Sequence, residues 1–371
     1  MAHLRNTLLG AAALSALTGT AVQAQDSNAA GAAPAAPAVS SAPVVGVRQV
    51  PLWPATIDPA TASRAARAQY NIPPAPNAKT HPKQYQQWLT AVSGPKVQEK
   101  SVLTQTTIKN GPMQPAGSAA PSRTKNSGTG SINSYNWSGS ADYLIANPTN
   151  QEAIYSYFQV PTANQALNAC TGSWDYSSIW PGIDGFYASG DVLQGGVEVD
   201  ALCVSGPAGA PNQTYGFYSA WVEWYPFSET RVSSPEIRPG DFVFVEVWNT
   251  SATNGYAYIY DYRNRVGVTY NLTPPSGTTL SGNTVEWVAE RPGVGGGLAT
   301  LTNYGSAKLY NGFAWDYGYS GTQTGYAPYY SPSSGTLYLV QMLDNSSLGI
   351  SYPYYSGSIY DEVFVNYGSS R

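Results

Sequence analysis

The stretch Val285-Glu-Trp-Val-Ala-Glu290 alternates between two kinds of side chain, and the same pattern recurs through the second half of the chain. In an extended strand, successive side chains point to opposite faces. Glu286, Val288 and Glu290 would therefore share one face. Val285, Trp287 and Ala289 would share the opposite face. A face that carries two glutamates is either exposed to solvent or part of a polar cleft. The alternation does not distinguish Glu286 from Glu290.

Similar short runs rich in Val, Ile, Tyr, Trp and Phe lie on both sides of this stretch, separated by clusters of Gly, Pro, Asn and Ser. This pattern predicts an all-β domain, either an antiparallel β-sandwich or a barrel. A helical pattern is nearly absent, apart from residues 83–92. The clearest predicted strands are residues 153–160, 217–225, 242–248, 257–262, 284–290 and 336–342.

A second stretch, Asp191-Val-Leu-Gln-Gly-Gly-Val-Glu198, has useful alternation as well. If it is a strand, Val192, Gln194, Gly196 and Glu198 lie on one face. A glutamine among apolar and glycine residues on such a face is a candidate for a polar site.

The first 24 residues are typical of a signal peptide. Arg5 gives a basic start, residues 8–17 form an apolar run too short to cross a bilayer, and Val22 and Ala24 are small residues suited to cleavage after Ala24. No later segment has the length and apolarity of a transmembrane helix. We therefore expect a protein without a membrane partner, secreted from the cell, or periplasmic if the host is Gram-negative.

Charge divides the remaining chain unevenly. Residues 25–128 carry 10 Lys plus Arg and 3 Asp plus Glu, whereas residues 129–371 carry 7 basic and 19 acidic residues. The first part is rich in Ala and Pro and predicts a largely irregular propeptide. A Gly- and Ser-rich linker, residues 111–133, spans the boundary between the two parts, and Arg123 and Lys125 within it are candidate processing positions. Our hypothesis is that this basic segment masks an acidic domain, residues 129–371, until the surroundings become acidic. The alternative is a basic, disordered linker with no inhibitory role.

Missing residue types exclude several kinds of chemistry. The two histidines are His3 and His81, so residues 129–371 contain none, and Lys308 is the only lysine there. This excludes Ser-His-Asp and Cys-His catalysis, disfavours a Ser-Lys pair and removes the commonest zinc ligand. An acidic domain with seven basic residues argues against a nucleic acid as partner. We expect no metal and no cofactor.

The two cysteines, Cys170 and Cys203, are the only ones in the chain. In an exported protein, an even number of cysteines predicts a disulfide more often than a reactive thiol. The bridge would enclose the segment that carries Gln194.

Five segments of the second half resemble the glutamic peptidases, the eqolisin family, in the order in which that family has them. They are Asn136-Trp-Ser-Gly139, Trp180-Pro-Gly-Ile-Asp-Gly185, Val192-Leu-Gln-Gly-Gly196, Ala220-Trp-Val-Glu-Trp-Tyr-Pro226 and Val285-Glu-Trp-Val-Ala-Glu290.

The resemblance implies a lectin-like β-sandwich of two antiparallel sheets with an active site on the concave face. It also implies that Gln194 and Glu290 form a catalytic dyad that hydrolyses peptide bonds in acid, so that polypeptides are the substrates and the propeptide is a candidate inhibitor. The resemblance, and not the alternation, selects Glu290 over Glu286.

Four further residues of the matched segments are candidates to line the cleft or support the dyad. The alternative interpretation is that the tryptophans are packed core residues and that the aspartate belongs to a turn. These candidates are Trp180, Asp184, Glu223 and Trp224.

The main alternative to a peptidase is a carbohydrate-binding module or a glycosidase, because an aromatic-rich sandwich with several carboxylates suits sugar chemistry. A long basic segment ahead of the domain fits that alternative poorly. An aspartic peptidase is disfavoured because the chain has no Asp-Thr-Gly or Asp-Ser-Gly motif. We expect the protein to be a monomer.

Overall fold

A computed structural model describes residues 34–97, 99–117, 129–144, 150–167, 170–187, 190–208, 210–319, 324–328, 336–354 and 362–368. The predicted signal peptide, Arg123 and Lys125 lie outside these residues. The contacts within the chain divide it into residues 1–35 and residues 36–371. All the elements below belong to the second unit.

The described residues form two helices and 21 strands. The helices are α1 (Arg64–Gln69) and α2 (Pro82–Ser93). The strands are β1 (Val47–Val50), β2 (Leu103–Gln105), β3 (Thr129–Ser134), β4 (Trp137–Tyr143), β5 (Glu152–Gln159), β6 (Trp174–Asp175), β7 (Ser178–Ile183), β8 (Val192–Val204), β9 (Gln213–Tyr225), β10 (Thr230–Val232), β11 (Phe242–Ser251), β12 (Asn254–Asp261), β13 (Val266–Leu272), β14 (Thr284–Glu290), β15 (Gly293–Val294), β16 (Gly297–Leu298), β17 (Ser306–Asp316), β18 (Gly325–Tyr326), β19 (Thr336–Leu343), β20 (Gly349–Tyr354) and β21 (Val363–Tyr367).

The strands pair into two layers. Sheet 1 has the order β1-β13-β12-β11-β5-β17, and sheet 2 has the order β19-β4-β14-β7-β8-β9-β10-β2. Strands β20 and β21 connect the two, because β21 pairs with β17 while β20 pairs with β19. Among the described pairs of strands, only β3 and β19 run parallel. The expected antiparallel all-β fold is confirmed, and all six predicted strand segments coincide with observed strands.

The main core lies between the two sheets. Val245 and Ile259 of sheet 1 and Leu193 and Trp287 of sheet 2 are wholly buried in one cluster. The residues that alternate with them in sheet 2, such as Val192 and Gln194, lie on the face of sheet 2 that points away from sheet 1, as the alternation predicts. Burial of such large apolar side chains is the dominant favourable contribution to stability.

Residues 36–117 are part of the same compact unit and not a separate irregular segment. Strand β1 pairs with β13, β2 pairs with β10, and α2, which confirms the helix predicted at residues 83–92, packs on the outer face of sheet 1. Trp88 of α2 is wholly buried there among tyrosine and tryptophan side chains. The division at residue 128 stays a prediction.

Cys170 and Cys203 form the expected disulfide, with an S–S distance of 2.00 Å. It links the segment before β6 to the C-terminal end of β8, the strand that carries Gln194. The short hydrogen-bonded pairing of β6 with β8 lies next to this bridge.

The described residues also contain carboxyl groups that are fully buried and whose pKa burial raises well above the ordinary value. Removal from water disfavours the charged form of an acid, and this is the largest cause for every one of them. They are Glu152, Asp200, Glu223, Glu229, Glu246, Glu286 and Glu290.

We therefore predict that the fold is more stable in acid than at neutral pH. In the unfolded chain a Glu titrates near 4.3, so a raised folded-state pKa stabilises the fold fully below that pH. This contribution is lost as the pH rises through the folded pKa. Thermal unfolding followed by circular dichroism should give a midpoint lower at pH 7.5 than at pH 4, by on the order of 5–10 °C. An equal or higher midpoint at pH 7.5 would contradict the prediction.

Candidate active site

Gln194 and Glu290 both lie on the face of sheet 2 that points away from sheet 1. Strand β7 runs between their strands, β8 and β14. Gln194 pairs with Gly182 of β7, and Gly182 pairs in turn with Glu286 of β14, whereas Glu290 pairs with Ser178. By register alone, Glu286 is therefore the glutamate in line with Gln194.

Gln194 and Glu290 are not opposite each other in the strand register, and the Trp180 indole lies between them. Its Nε1–H donates a hydrogen bond to Glu290 Oε2 at 3.0 Å. The far edge of its ring lies over Gly182, where a Cβ would be 2.7 Å from the ring and 3.2 Å from the Cβ of Gln194. Any larger residue at position 182 would collide with this ring, so the glycine permits Trp180 to contact both sides of the site.

Three donors hold the Glu290 carboxyl group. Besides Trp180, the Asn136 side chain donates from Nδ2 to Oε1 at 3.2 Å, and the Gly111 backbone N–H donates to Oε1 at 3.0 Å. Burial raises the pKa of Glu290 well above its ordinary value, and the nearby Glu223 carboxyl raises it further. The hydrogen bonds act in the opposite direction, because they favour the charged form.

Gln194 contributes an uncharged donor at the same place. Its Nε2 donates to the backbone carbonyl oxygen of Asn110, and its Oε1 has no hydrogen-bond partner among the described residues. An amide keeps its donors at any pH relevant to a protein. The side chain is wholly buried.

Residues 106–113, which we call the cleft segment, cover these side chains. The segment is anchored at Lys109, which exchanges backbone hydrogen bonds with Gly293 at 3.0 and 2.9 Å, and at Met113, whose N–H donates to the Gly185 carbonyl at 3.0 Å. Between them, Trp137 Nε1 donates to the Gly111 carbonyl at 3.0 Å. A length of backbone therefore passes directly over Gln194 and Glu290.

Glu223 also contacts the cleft segment. It sits opposite Gln194 in the pairing of β8 with β9. Its Oε2 accepts from the backbone N–H of Asn110 at 3.0 Å and from Asn110 Nδ2 at 3.2 Å. Glu229 adds a second acceptor, since its Oε2 lies 3.1 Å from the same Nδ2.

Behind these two glutamates lies an ion pair. Arg231 donates from Nη2 to Glu198 Oε1 at 2.7 Å, and its Nε lies 3.8 Å from Glu229 Oε1. Asp200 is buried beside this ion pair: burial and then the Glu198 carboxyl raise its pKa, whereas Arg231 lowers it.

Two of the expected supporting residues lie outside this cleft, in line with the alternative interpretation of core and turn. Trp224 is in the core between the sheets, where its Nε1 donates to Asp191 Oδ2 at 3.0 Å. Asp184 accepts from the backbone of residues 281–283 at 2.6–2.9 Å and so fixes the turn that leads into β14. Trp180 and Glu223 are in the cleft beside Gln194 and Glu290.

Three residues of the site were not singled out from the sequence. Asn136 belongs to one of the segments that resemble the glutamic peptidases, so that segment could have identified it. Glu229 belongs to none of them, and Asn110 lies in the stretch assigned to an irregular propeptide. Nothing in their local sequence indicates that these two side chains meet in the cleft.

One relative among known proteins is a peptidase of a fungus. The chain is 30% identical over 135 residues to Aspergillopepsin-2 of Aspergillus niger, which is 36% of this chain and 44% of that protein. The chain therefore covers less than half the length of that relative.

Solved structures of two glutamic peptidases are similar to the chain at lower sequence identity. A crystal structure of scytalidoglutamic peptidase with a transition-state analogue inhibitor is 20% identical, covers 63% of this chain and 98% of its own, and gives a TM-score of 0.47. Aspergilloglutamic peptidase from Aspergillus niger is 25% identical, with 52% and 99% covered and a TM-score of 0.41.

The match to a family model is the comparison that assigns the family. Residues 135–352, more than half of the chain, match the model of the Peptidase A4 family. They include all five segments on which the resemblance to the glutamic peptidases rests, and that resemblance is confirmed: the chain belongs to the Peptidase A4 family.

Proposed function

We propose that this protein is an acid endopeptidase, exported as a precursor, that hydrolyses peptide bonds with Gln194, Glu290 and one activated water. The observation that supports this most strongly is a peptide bond of the chain itself, which lies between the two side chains. Gln194 contacts the carbonyl oxygen of residue 110, and Glu290 contacts the N–H of residue 111. Any extended polypeptide in the same position would offer the same two atoms.

In this proposal, Glu290 takes a proton from water as the water oxygen adds to the carbonyl carbon. Gln194 Nε2 donates to the oxygen that becomes negatively charged, as an oxyanion donor does in acyl transfer. Glu290 then gives the proton to the nitrogen of the departing chain. Burial raises the pKa of Glu290 and favours its protonated form, which suits this second role, whereas the three hydrogen bonds to the carboxyl favour the charged form that the first role needs.

Trp180 and Asn136 are positioning residues in this account. Trp180 Nε1 and Asn136 Nδ2 both donate to the Glu290 carboxyl. Asn136 Nδ2 also lies 3.4 Å from the Gly111 carbonyl oxygen and 3.1 Å from that of Pro112, on the carboxyl side of the bond between residues 110 and 111. By fixing both carboxyl oxygens, they reduce the freedom of Glu290 to rotate away from the reacting atoms. No acyl-enzyme forms, since neither dyad residue attacks the substrate.

The cleft segment is also the basis for the proposal that the propeptide inhibits the enzyme. It fills the site and leaves Gln194 and Glu290 without exposed surface. Protonation alone is not expected to release it. Glu223, Glu229 and Glu290 have raised pKa values under it, so for these groups acid favours the covered state. Opening by cleavage fits this arrangement better than opening by repulsion.

The test is hydrolysis of denatured casein by the purified full chain. We expect release of soluble peptides at acidic pH, little release at pH 7.5, and no inhibition by pepstatin, which blocks aspartic peptidases. Inactivity against casein across pH 3–6, after incubation long enough for processing, would contradict the proposal. Release of reducing sugar from a polysaccharide panel would instead support the carbohydrate alternative.

A further inference from the structure

The cleft segment has the chemistry of a substrate at one particular bond. Of its peptide bonds, the one between Asn110 and Gly111 has its carbonyl oxygen on Gln194 and its N–H on Glu290. The backbone on both sides is fixed as well, by Gly293 at Lys109 and by Trp137 at Gly111. A segment that only blocked the cleft would not need to place the carbonyl oxygen of one peptide bond on Gln194 and the N–H of the same bond on Glu290.

The Asn110 side chain enters a subsite of its own. Its Nδ2 lies within hydrogen-bond distance of two carboxyl groups, Glu223 at 3.2 Å and Glu229 at 3.1 Å. All three side chains are buried, with at most 1% of their surface exposed. A carboxyl oxygen accepts a hydrogen bond whether the group is charged or protonated, so this pair suits an N–H donor in acid as well.

We propose that Asn110–Gly111 is the first bond this enzyme cuts, in its own chain, and that Glu223 and Glu229 form a subsite selecting a carboxamide side chain on the amino-terminal side of the cut. This inference rests on the proposed function. It adds the bond, the subsite and the class of side chain that the subsite accepts.

The step balances as an ordinary hydrolysis. The oxygen of water forms a bond to the Asn110 carbonyl carbon, and the proton it loses goes to Glu290. The bond between that carbon and the Gly111 nitrogen breaks, its electron pair stays on nitrogen, and nitrogen takes the proton from Glu290. The products are a chain that ends in the Asn110 carboxyl group and a chain that begins with the Gly111 amine.

Cleavage would free the two ends of the cleft segment at the cut, but it would not by itself separate the two pieces. Residues 36–110 remain paired to the domain through β1 and β2, and the wholly buried Trp88 of α2 fixes them to sheet 1. The cut must therefore be sought under denaturing conditions.

The first experiment incubates the purified full chain in acid, stops the reaction at intervals and measures intact masses by denaturing mass spectrometry. We expect the earliest pair of products to end at Asn110 and begin at Gly111. The Asn110→Leu chain, which keeps the branched shape of the side chain but loses the N–H donors, should form this pair at least about 10-fold more slowly. A first cut at another bond, or an unchanged rate in Asn110→Leu, would overturn the proposal.

The second experiment measures selection apart from self-processing. Acid-treated enzyme is given a peptide with the sequence of residues 104–117, or the same peptide with Asn110→Leu. We expect kcat/KM to be about 10–100-fold higher for the peptide with asparagine. The Glu229→Leu enzyme should lose most of this preference, and Glu236→Gln, at an exposed carboxyl paired with Arg238, should keep it. Equal kcat/KM values for the two peptides with wild-type enzyme would overturn the subsite, whatever the Glu229 variant does.

Casein hydrolysis by the same preparations distinguishes this inference from the proposed function. If casein is degraded while Asn110–Gly111 stays intact, the inference fails and the proposed function stands. If neither casein nor the chain is cut, both fail.

Discussion

Replacing Glu290 by glutamine is expected to lower the rate of casein hydrolysis at acidic pH by about 10²–10⁴-fold, the range typical for loss of a general acid or base. Glutamine has nearly the same shape but cannot take a proton from water or give one to the departing nitrogen. Because one residue has both roles in this account, we expect the upper part of that range. The measurement is the initial rate of peptide release per enzyme molecule.

The structure indicates that the Glu290→Gln chain should fold. The Oε1 of the new side chain can accept from Asn136 as Glu290 does, and what is lost is the acceptor for the Trp180 indole. Circular dichroism and the unfolding midpoint at pH 4 should stay close to those of the wild type. Wild-type activity in this variant would exclude Glu290 as the acid or base.

Replacing Gln194 by alanine is expected to lower kcat by about 10²–10³-fold, the usual effect of losing one oxyanion donor. The Nε2 of Gln194 contacts a carbonyl oxygen in the ground state, but that bond strengthens most when the oxygen becomes negatively charged. KM for a peptide substrate should therefore change much less than kcat.

The Gln194→Leu variant is the matched control for a cavity effect. It fills nearly the volume of the glutamine and donates no hydrogen bond, so it should lose as much kcat as Gln194→Ala. If the leucine variant retains kcat while the alanine variant loses it, packing and not hydrogen bonding explains the role of Gln194.

Most of the fold of the second half follows from local pattern. Alternation along residues 191–198 and 285–290 predicts which side chains of β8 and β14 share a face, because a strand admits only two orientations. Trp287 is in the core and Gln194 faces the cleft, as that alternation requires. The disulfide follows from the number of cysteines in a chain expected to be exported.

Other features depend on distant contacts that local pattern does not encode. Residues 36–117 have few large apolar side chains, yet Trp88, Ala91 and Val92 pack α2 against the aromatic outer face of sheet 1. Asn110 meets Glu223 and Glu229 across more than a hundred residues of sequence. Register, moreover, aligns Glu286 with Gln194, so family resemblance was needed to choose Glu290, which the Trp180 indole links to the site.

Trp224 illustrates the limit of motifs. It adjoins Glu223 within one matched segment, but neighbouring strand residues face opposite sides. Glu223 therefore contacts the cleft segment, while Trp224 packs between the sheets. A motif identifies a strand of the site without saying which of its residues reach the chemistry.

We propose that Glu290, and not the glutamate that register aligns with Gln194, is the acid and base of the reaction. The most direct test compares casein hydrolysis by Glu290→Gln and Glu286→Gln, since both residues lie on the same face of β14 and both are wholly buried. We expect a loss of about 10²–10⁴-fold in Glu290→Gln and a rate within about 3-fold of the wild type in Glu286→Gln. The reverse result, activity lost at residue 286 and kept at residue 290, would contradict it.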